Sequence, residues 1–149
     1  MTLRTKPGND KPQTMLLTPQ QITHINSAVL QLLGDGVRLV MVFGSCASGK
    51  ARSDSDLDIA VDAGAAMTPM QCMALIAALA DITGRPIDLV DLRTVGEPLL
   101  GQILQHGQRI HGGDAALGQY LSKHLFDMAD FVPLQQRILK ERRQAWIWL

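Results

Sequence analysis

Two short apolar runs joined by a glycine- and serine-rich connection constrain this chain more than any other feature. They lie in residues 39–61, LVMVFGSCASGKARSDSDLDIAV. The first run, residues 38–43, is β-branched and apolar and reads as a buried strand. In the second, Leu57, Ile59 and Val61 alternate with Asp56, Asp58 and Ala60, the period-two pattern of a half-buried strand. Residues 44–55 between them read as a loop, because glycine and serine favour turns. The fold must therefore place two strands and bring a run of aspartates to the start of the second.

The remaining elements follow from helix signals. Thr18-Pro19 supplies a cap and a proline at the first helical position, and Ile22, Ile25, Val29, Leu32 and Leu33 follow at helical spacing until Gly34. Thr68-Pro69 repeats that start, and the second helix runs to about Ile82 before Gly84. Residues 87–92 form a third strand. A helix near residues 97–106, an extended piece at 109–111 and two helices flanking Pro133 complete the chain. The pattern predicts an α/β (α+β) domain: a mixed β-sheet flanked by helices, with C-terminal helices. Residues 1–16 are polar, with Pro7, Gly8 and Pro12, and read as a flexible arm; residues 17–149 form a single domain.

The chain has 149 residues. At that length roughly 68–70% of the unfolded surface can be buried, so a core needs no disulfide or metal. The net charge is zero but unevenly spread: +4 over residues 1–53, −6 over 54–91 and +2 over 120–149. An acidic middle between basic flanks suits a site that gathers cations for a polyanionic ligand. Direct nucleic-acid binding usually needs a basic excess and is not expected. Cys46 and Cys72 are isolated, which suits a reduced, cytoplasmic setting. With no apolar leader and no run of 18 apolar residues, neither secretion nor membrane insertion is expected.

Three chemistries compete for the central stretch. Gly44 to Lys50 matches the start of a phosphate loop, G-x-x-x-x-G-K, but Ala51 stands where that loop needs a hydroxyl for magnesium, and a strand follows instead of a helix. Asp54, Asp56 and Asp58 match the start of a calcium loop, but Ile59 and Ala65 occupy the positions of its glycine and glutamate. The third reading is a two-metal site. Residues two apart on a strand face the same way, so Asp56 and Asp58 aim both carboxylates at one point. Two divalent cations roughly 3.5–4 Å apart need such a pair plus a carboxylate from a neighbouring strand. Asp88, inside the apolar run Ile87-Asp88-Leu89-Val90, is the best candidate; as a buried strand aspartate it would need a metal or partner to neutralise it. Asp91 is the alternative, although its place at the strand end suits a turn. Asp54 reads as a solvated turn residue. Gly44 would let the backbone approach a triphosphate, Ser45 would offer its hydroxyl and N–H, and Lys50 and Arg52 would neutralise the tail.

Strand, Gly44-Ser45, ten residues, Asp56-Leu57-Asp58 and a later strand aspartate together resemble the DNA polymerase beta superfamily of nucleotidyltransferases, whose signature is G-S-x(10)-D-x-D. The short chain and Gly44-Ser-x-Ala-x-Gly49 look like its minimal nucleotidyltransferase (MNT) branch, in particular the adenylyltransferase antitoxins of HEPN/MNT toxin–antitoxin modules. The segments beginning Arg85-Pro86-Ile87-Asp88, Gly107-x-Arg109-Ile110 and Asp130-Phe131-Val132-Pro133, and Glu141-Arg142-Arg143, carry that likeness. It implies metal-dependent AMPylation, the transfer of AMP from ATP to a tyrosine hydroxyl of a HEPN ribonuclease toxin. It also implies two Mg2+ ions on Asp56, Asp58 and Asp88, the three catalytic residues. The resembled branch carries arginine in both variable places of G-S-R-A-R-G; here they are Cys46 and Ser48, with Lys50 and Arg52 nearby.

Two other functions remain in view. An antitoxin can neutralise its toxin by binding alone. The last helix carries Leu134, Ile138, Leu139, Trp146, Ile147, Trp148 and Leu149 beside Arg137, Lys140, Arg142 and Arg143, which suits docking to a partner or a homo-oligomer. Nucleotidyl transfer to a small molecule would need a substrate domain for which the chain is short. The histidines, His24, His106, His111 and His124, have no metal-ligand spacing and read as surface or packing residues.

Overall fold

The computed structural model describes residues 16–52 and 54–148, without the side chains of 130–136 and 142–148. The expected arm, residues 1–15 of it, therefore lies outside the described residues. In chain order the elements are α1 (Pro19–Leu33), β1 (Leu39–Phe43), α2 (Ser45–Ser48), β2 (Leu57–Asp62), α3 (Pro69–Thr83), β3 (Ile87–Asp91), α4 (Leu99–His106), β4 (Gln108–Gly112) and α5 (Asp114–Trp148). The mixed α/β reading holds.

Both expected cap signals form, and each is stronger than a lone threonine. Thr18 Oγ1 accepts the Gln21 N–H at 3.0 Å while Gln21 Oε1 accepts the Thr18 N–H at 3.0 Å. Thr68 and Gln71 repeat the reciprocal pair at 3.1 and 2.9 Å. Two orphan donors at each helix start are thus satisfied from within one turn.

The sheet has the order β3-β2-β1-β4. β1 runs antiparallel to both β2 and β4, and β2 runs parallel to β3. Alternation sorts the strand side chains to two faces. Val40, Val42, Leu57, Ile59 and Val61 pack with Ile25 and Val29 of α1 and Leu75 and Leu79 of α3. Leu39, Met41 and Ala60 pack on the other face with Leu100 and Ile103 of α4 and with Ala116 and Tyr120 at the start of α5. No described helix is long and apolar enough to cross a membrane.

Two expectations need correction. Residues 45–48 of the expected loop form the single turn α2. The two helices expected around Pro133 are one, the 35-residue α5. A proline inside a helix removes one backbone hydrogen bond and crowds the preceding turn, which commonly kinks a helix rather than ending it. Of the residues expected to dock a partner, Leu134, Arg142, Arg143, Trp146, Ile147 and Trp148 have side chains that are not described, and Leu149 lies outside the described residues; Ile138 and Leu139 on α5 are exposed.

Among the described residues, one charged residue is fully buried. Asp62, at the end of β2, accepts the Tyr120 hydroxyl at 2.7 Å and the Gly64 N–H at 2.8 Å, with Arg93 at 3.5 Å. Burial first, and then the hydrogen bond to Asp62, push the Tyr120 phenol well above its ordinary value, while Arg93 and Arg38 pull it back. Replacing Tyr120 by Phe leaves one oxygen of a buried carboxylate without its donor. Urea denaturation at neutral pH should show a loss of roughly 1–3 kcal/mol.

Candidate active site

β1 ends at Phe43, and Gly44 then turns with φ +72°. A side chain is disfavoured there by the backbone alone. It is also excluded by space, because a Cβ on Gly44 would collide with the Asp58 carboxylate. The turn thus brings bare backbone directly against an acidic group.

Several bonds hold this turn and α2 in place. Leu16 N–H donates to the Cys46 carbonyl at 3.0 Å, and Gln108 Nε2 donates to the Ala47 carbonyl at 2.9 Å. The buried Cys46 thiol reaches the Asp56 carbonyl at 3.5 Å. Burial raises that thiol's pKa, with Arg85 opposing, so it is a packing group rather than a nucleophile. Arg85 Nη1 donates to the carbonyls of Arg52 and Ser55 at 2.7 and 3.0 Å, and so braces the connection just before Asp56.

The parallel register of β2 and β3 sets Asp58 opposite Asp88. Both carboxyls therefore stand side by side on the face that carries Ala60 and Asp62. Burial pushes the Asp58 pKa up to about 6, with Asp88 next in effect and Asp56 after it. A carboxyl pair of this kind wants either a proton or a cation between its oxygens. Asp56 lies just before β2, is exposed, and is close enough to raise the Asp58 pKa, but it does not line the cavity beside them.

That cavity has a volume of about 420 Å³ and is lined by Phe43, Gly44, Asp58, Asp88, Gln102 and His106. Of the sequence candidates, Gly44, Asp58 and Asp88 converge on it. Ser45 adjoins it at the start of α2. Lys50 and Arg52 are exposed and do not line it; the Lys50 N–H closes the α2 turn onto the Ser45 carbonyl at 3.1 Å. Asp88 also differs from its expected setting. It is exposed on β3, an edge strand, so a buried lone charge is not what marks it. Asp91 pairs with Val61 and faces away; its oxygens accept the N–H groups of Met67 and Arg93 at 2.8 and 2.9 Å, a turn role.

Sequence reasoning missed Gln102 and His106. They lie one turn apart on α4, four residues from each other, and so present one face to the cavity. That i, i+4 spacing was the available signal, but only the tertiary packing of α4 on β1 gives it meaning.

Hard oxygen donors at a crowded glycine suit a divalent cation such as magnesium. The described residues form no ready-made cluster of three or more ligating side chains. The pair itself fits such an ion: burial first, and then the neighbouring Asp88 carboxyl, hold the Asp58 pKa up, and a cation between the two would relieve both.

The profile of the polymerase beta nucleotidyltransferase family matches residues 24–116, well over half of the chain. The chain belongs to that family. The Shewanella oneidensis protein adenylyltransferase MntA is 32% identical over 87 residues, which are 56% of this chain and 63% of that relative. The match thus spans less than two thirds of the relative's own length. A crystal structure of a toxin–antitoxin complex with AMP-PNP superposes with a TM-score of 0.71 at 25% identity, covering 80% of this chain and 96% of that one. The fold is also similar to a chain in the complex of tri-AMPylated Shewanella oneidensis HEPN toxin with its MNT antitoxin, with a TM-score of 0.64 at 24% identity over 81% of this chain and 97% of that one.

The Asp58 shift has a consequence for stability. In this nucleotidyltransferase the folded state holds a proton on Asp58 that the unfolded chain releases above its ordinary value of 3.8. The protonated pair's contribution is complete below that value and is lost as pH rises through about 6. The full displacement would correspond to roughly 3 kcal/mol; partial exposure screens it to ~1 kcal/mol. Asp58→Asn should therefore raise the melting temperature of metal-free protein at pH 7.5 by about 2–4 °C. The gain should vanish near pH 4 and shrink when magnesium is added to the parent.

Proposed function

We propose that this chain transfers AMP from ATP to a hydroxyl group in a metal-dependent reaction, and that the acceptor is a tyrosine of a HEPN-type toxin. The observation that carries the reading is the Asp58–Asp88 pair set in register beside the bare Gly44 turn. Family membership and the likeness to an adenylyltransferase support the reaction class. The toxin–antitoxin complex with AMP-PNP supports ATP and the partner.

Asp56, Asp58 and Asp88 would hold two magnesium ions. Bound there, the ions would supply Lewis-acid activation of the acceptor hydroxyl and neutralise the departing pyrophosphate. The chain's own residues do the positioning. Gly44 admits the phosphate chain against the backbone, and Ser45 offers its hydroxyl beside it. Lys50 and Arg52 would have to swing from the exposed loop to meet the tail. The anchored α2 turn keeps the donor fixed relative to the carboxylates, which is the main protein contribution in phosphoryl-type transfer.

One observation favours neutralisation by binding alone as a second reading. Cys46 is fully buried, and the Ser48 hydroxyl bonds the Ser45 carbonyl at 3.3 Å. The two places where the resembled branch carries arginine thus contribute no cation. Labelled ATP, magnesium and a candidate HEPN toxin decide between the two. Label on the toxin, reduced about 100-fold or more in Asp58→Asn with an unchanged circular dichroism spectrum, supports the transferase. Toxin inhibition without label supports the binder, and undiminished transfer by Asp58→Asn removes these carboxylates from the mechanism.

A further inference from the structure

A second cavity lies on the same face of the sheet, at the opposite end of the strands. It measures about 310 Å³ and is lined by Arg38, Leu92, Arg93, Gln119, Tyr120 and Lys123. Asp62 pairs with Leu39, while Asp58 pairs with Phe43, four residues along β1. At antiparallel spacing that separates the two ends by about 13 Å. The layer of Met41, Ala60, Leu100 and Ile103 fills the space between them.

Three cationic side chains from three elements converge here, and their partners leave positive charge uncompensated. Arg38 precedes β1, and its Nη2 donates to Gln119 Oε1 at 2.7 Å, a neutral acceptor. It has no acidic partner among the described residues. Arg93 reaches Asp62 only at 3.5 Å, because both oxygens of that carboxylate already have closer donors, Tyr120 and Gly64. Its side chain is 38% exposed and Asp62 is 0% exposed, so the guanidinium and not the carboxylate meets the cavity. Lys123 is paired with Asp127 at 3.0 Å on the outer rim. The buried Asp62–Tyr120 pair thus forms a back wall beside Arg93 in the cavity that Arg38 also lines.

We propose that this cavity binds a small oxyanion, a phosphoryl or carboxylate group, between the guanidinium groups of Arg38 and Arg93. A guanidinium presents parallel N–H donors that match two oxygens on one centre, and two of them facing one space can satisfy a group with several oxygens. The site is independent of the nucleotidyl-transfer reading, since it shares no residue with the Asp58 cavity.

Tyr120 is the single tyrosine of the chain and lines this cavity, so it is a built-in reporter. Metal-free full-length protein with ring-labelled tyrosine is titrated with inorganic phosphate, and separately with acetate, at constant ionic strength set by chloride. A saturable shift of the Tyr120 ring resonances is expected. Apparent affinity should fall about ten-fold or more in Arg38→Gln, which removes the guanidinium beside Gln119 and keeps the backbone N–H that donates to the Asp62 carbonyl. Arg93→Gln should weaken it likewise, and Lys50→Gln at the other end should leave it unchanged. Saturation by phosphate alone assigns a phosphoryl ligand, and saturation by acetate alone a carboxylate. A shift that chloride reproduces, or one that survives in Arg38→Gln and Arg93→Gln together, overturns the site.

Discussion

Two like-charged side chains are held against each other because a parallel β-ladder leaves them nowhere else to go. β2 and β3 pair so that Asp58 stands beside Asp88, and the backbone hydrogen bonds of the ladder enforce the meeting. The repulsion is local and modest, while the ladder and the apolar residues on the reverse face are many. Leu57 and Ile59 flank Asp58 and point into the helix-covered core, so a one-residue slip would expose them. The hydrophobic effect on one face of the sheet thus fixes the electrostatics on the other.

The same strand shows what environment does to identical chemistry. Asp58 and Asp62 share a face of β2. Asp62 lies under α5, receives a phenol and a backbone N–H, and is a structural group. Asp58 faces a cleft, meets a second carboxyl, and has its pKa displaced upward. One aspartate has its donors supplied by the fold, and the other is left in need of a cation. Strained or unsatisfied groups of the second kind commonly mark functional sites.

Around that pair the backbone is braced rather than loose. Cys46, Ala47, Arg52 and Ser55 all have carbonyls engaged by donors from distant parts of the chain. Arg85 spends its charge-assisted hydrogen bonds on this connection. A turn rich in glycine and serine would otherwise lose the fixed geometry that in-line transfer requires.

Much of this was legible from the residues in order. Period-two alternation in residues 57–61, the repeated Thr-Pro starts and the spacing from Gly44-Ser45 to Asp56 and Asp58 depend only on local sequence, and local physics reproduces them. So does the turn role of Asp91. What failed did so for non-local reasons. The run around Asp88 is apolar, yet β3 is an edge strand, and burial depends on what covers it. Pro133 reads as a break, yet one lost hydrogen bond does not end a helix already extended on both sides. Gln102 and His106 acquire a place beside the carboxylates only when α4 folds back over β1, and Arg38 and Arg93 come to line one cavity only when β1 and the β3–α4 connection are brought to one end of the sheet. Sequence by itself determined which residues alternate, cap and turn, because those forces act within a few residues. Tertiary structure alone decided which charges meet, because that is set by strand order and helix packing between residues far apart in the chain.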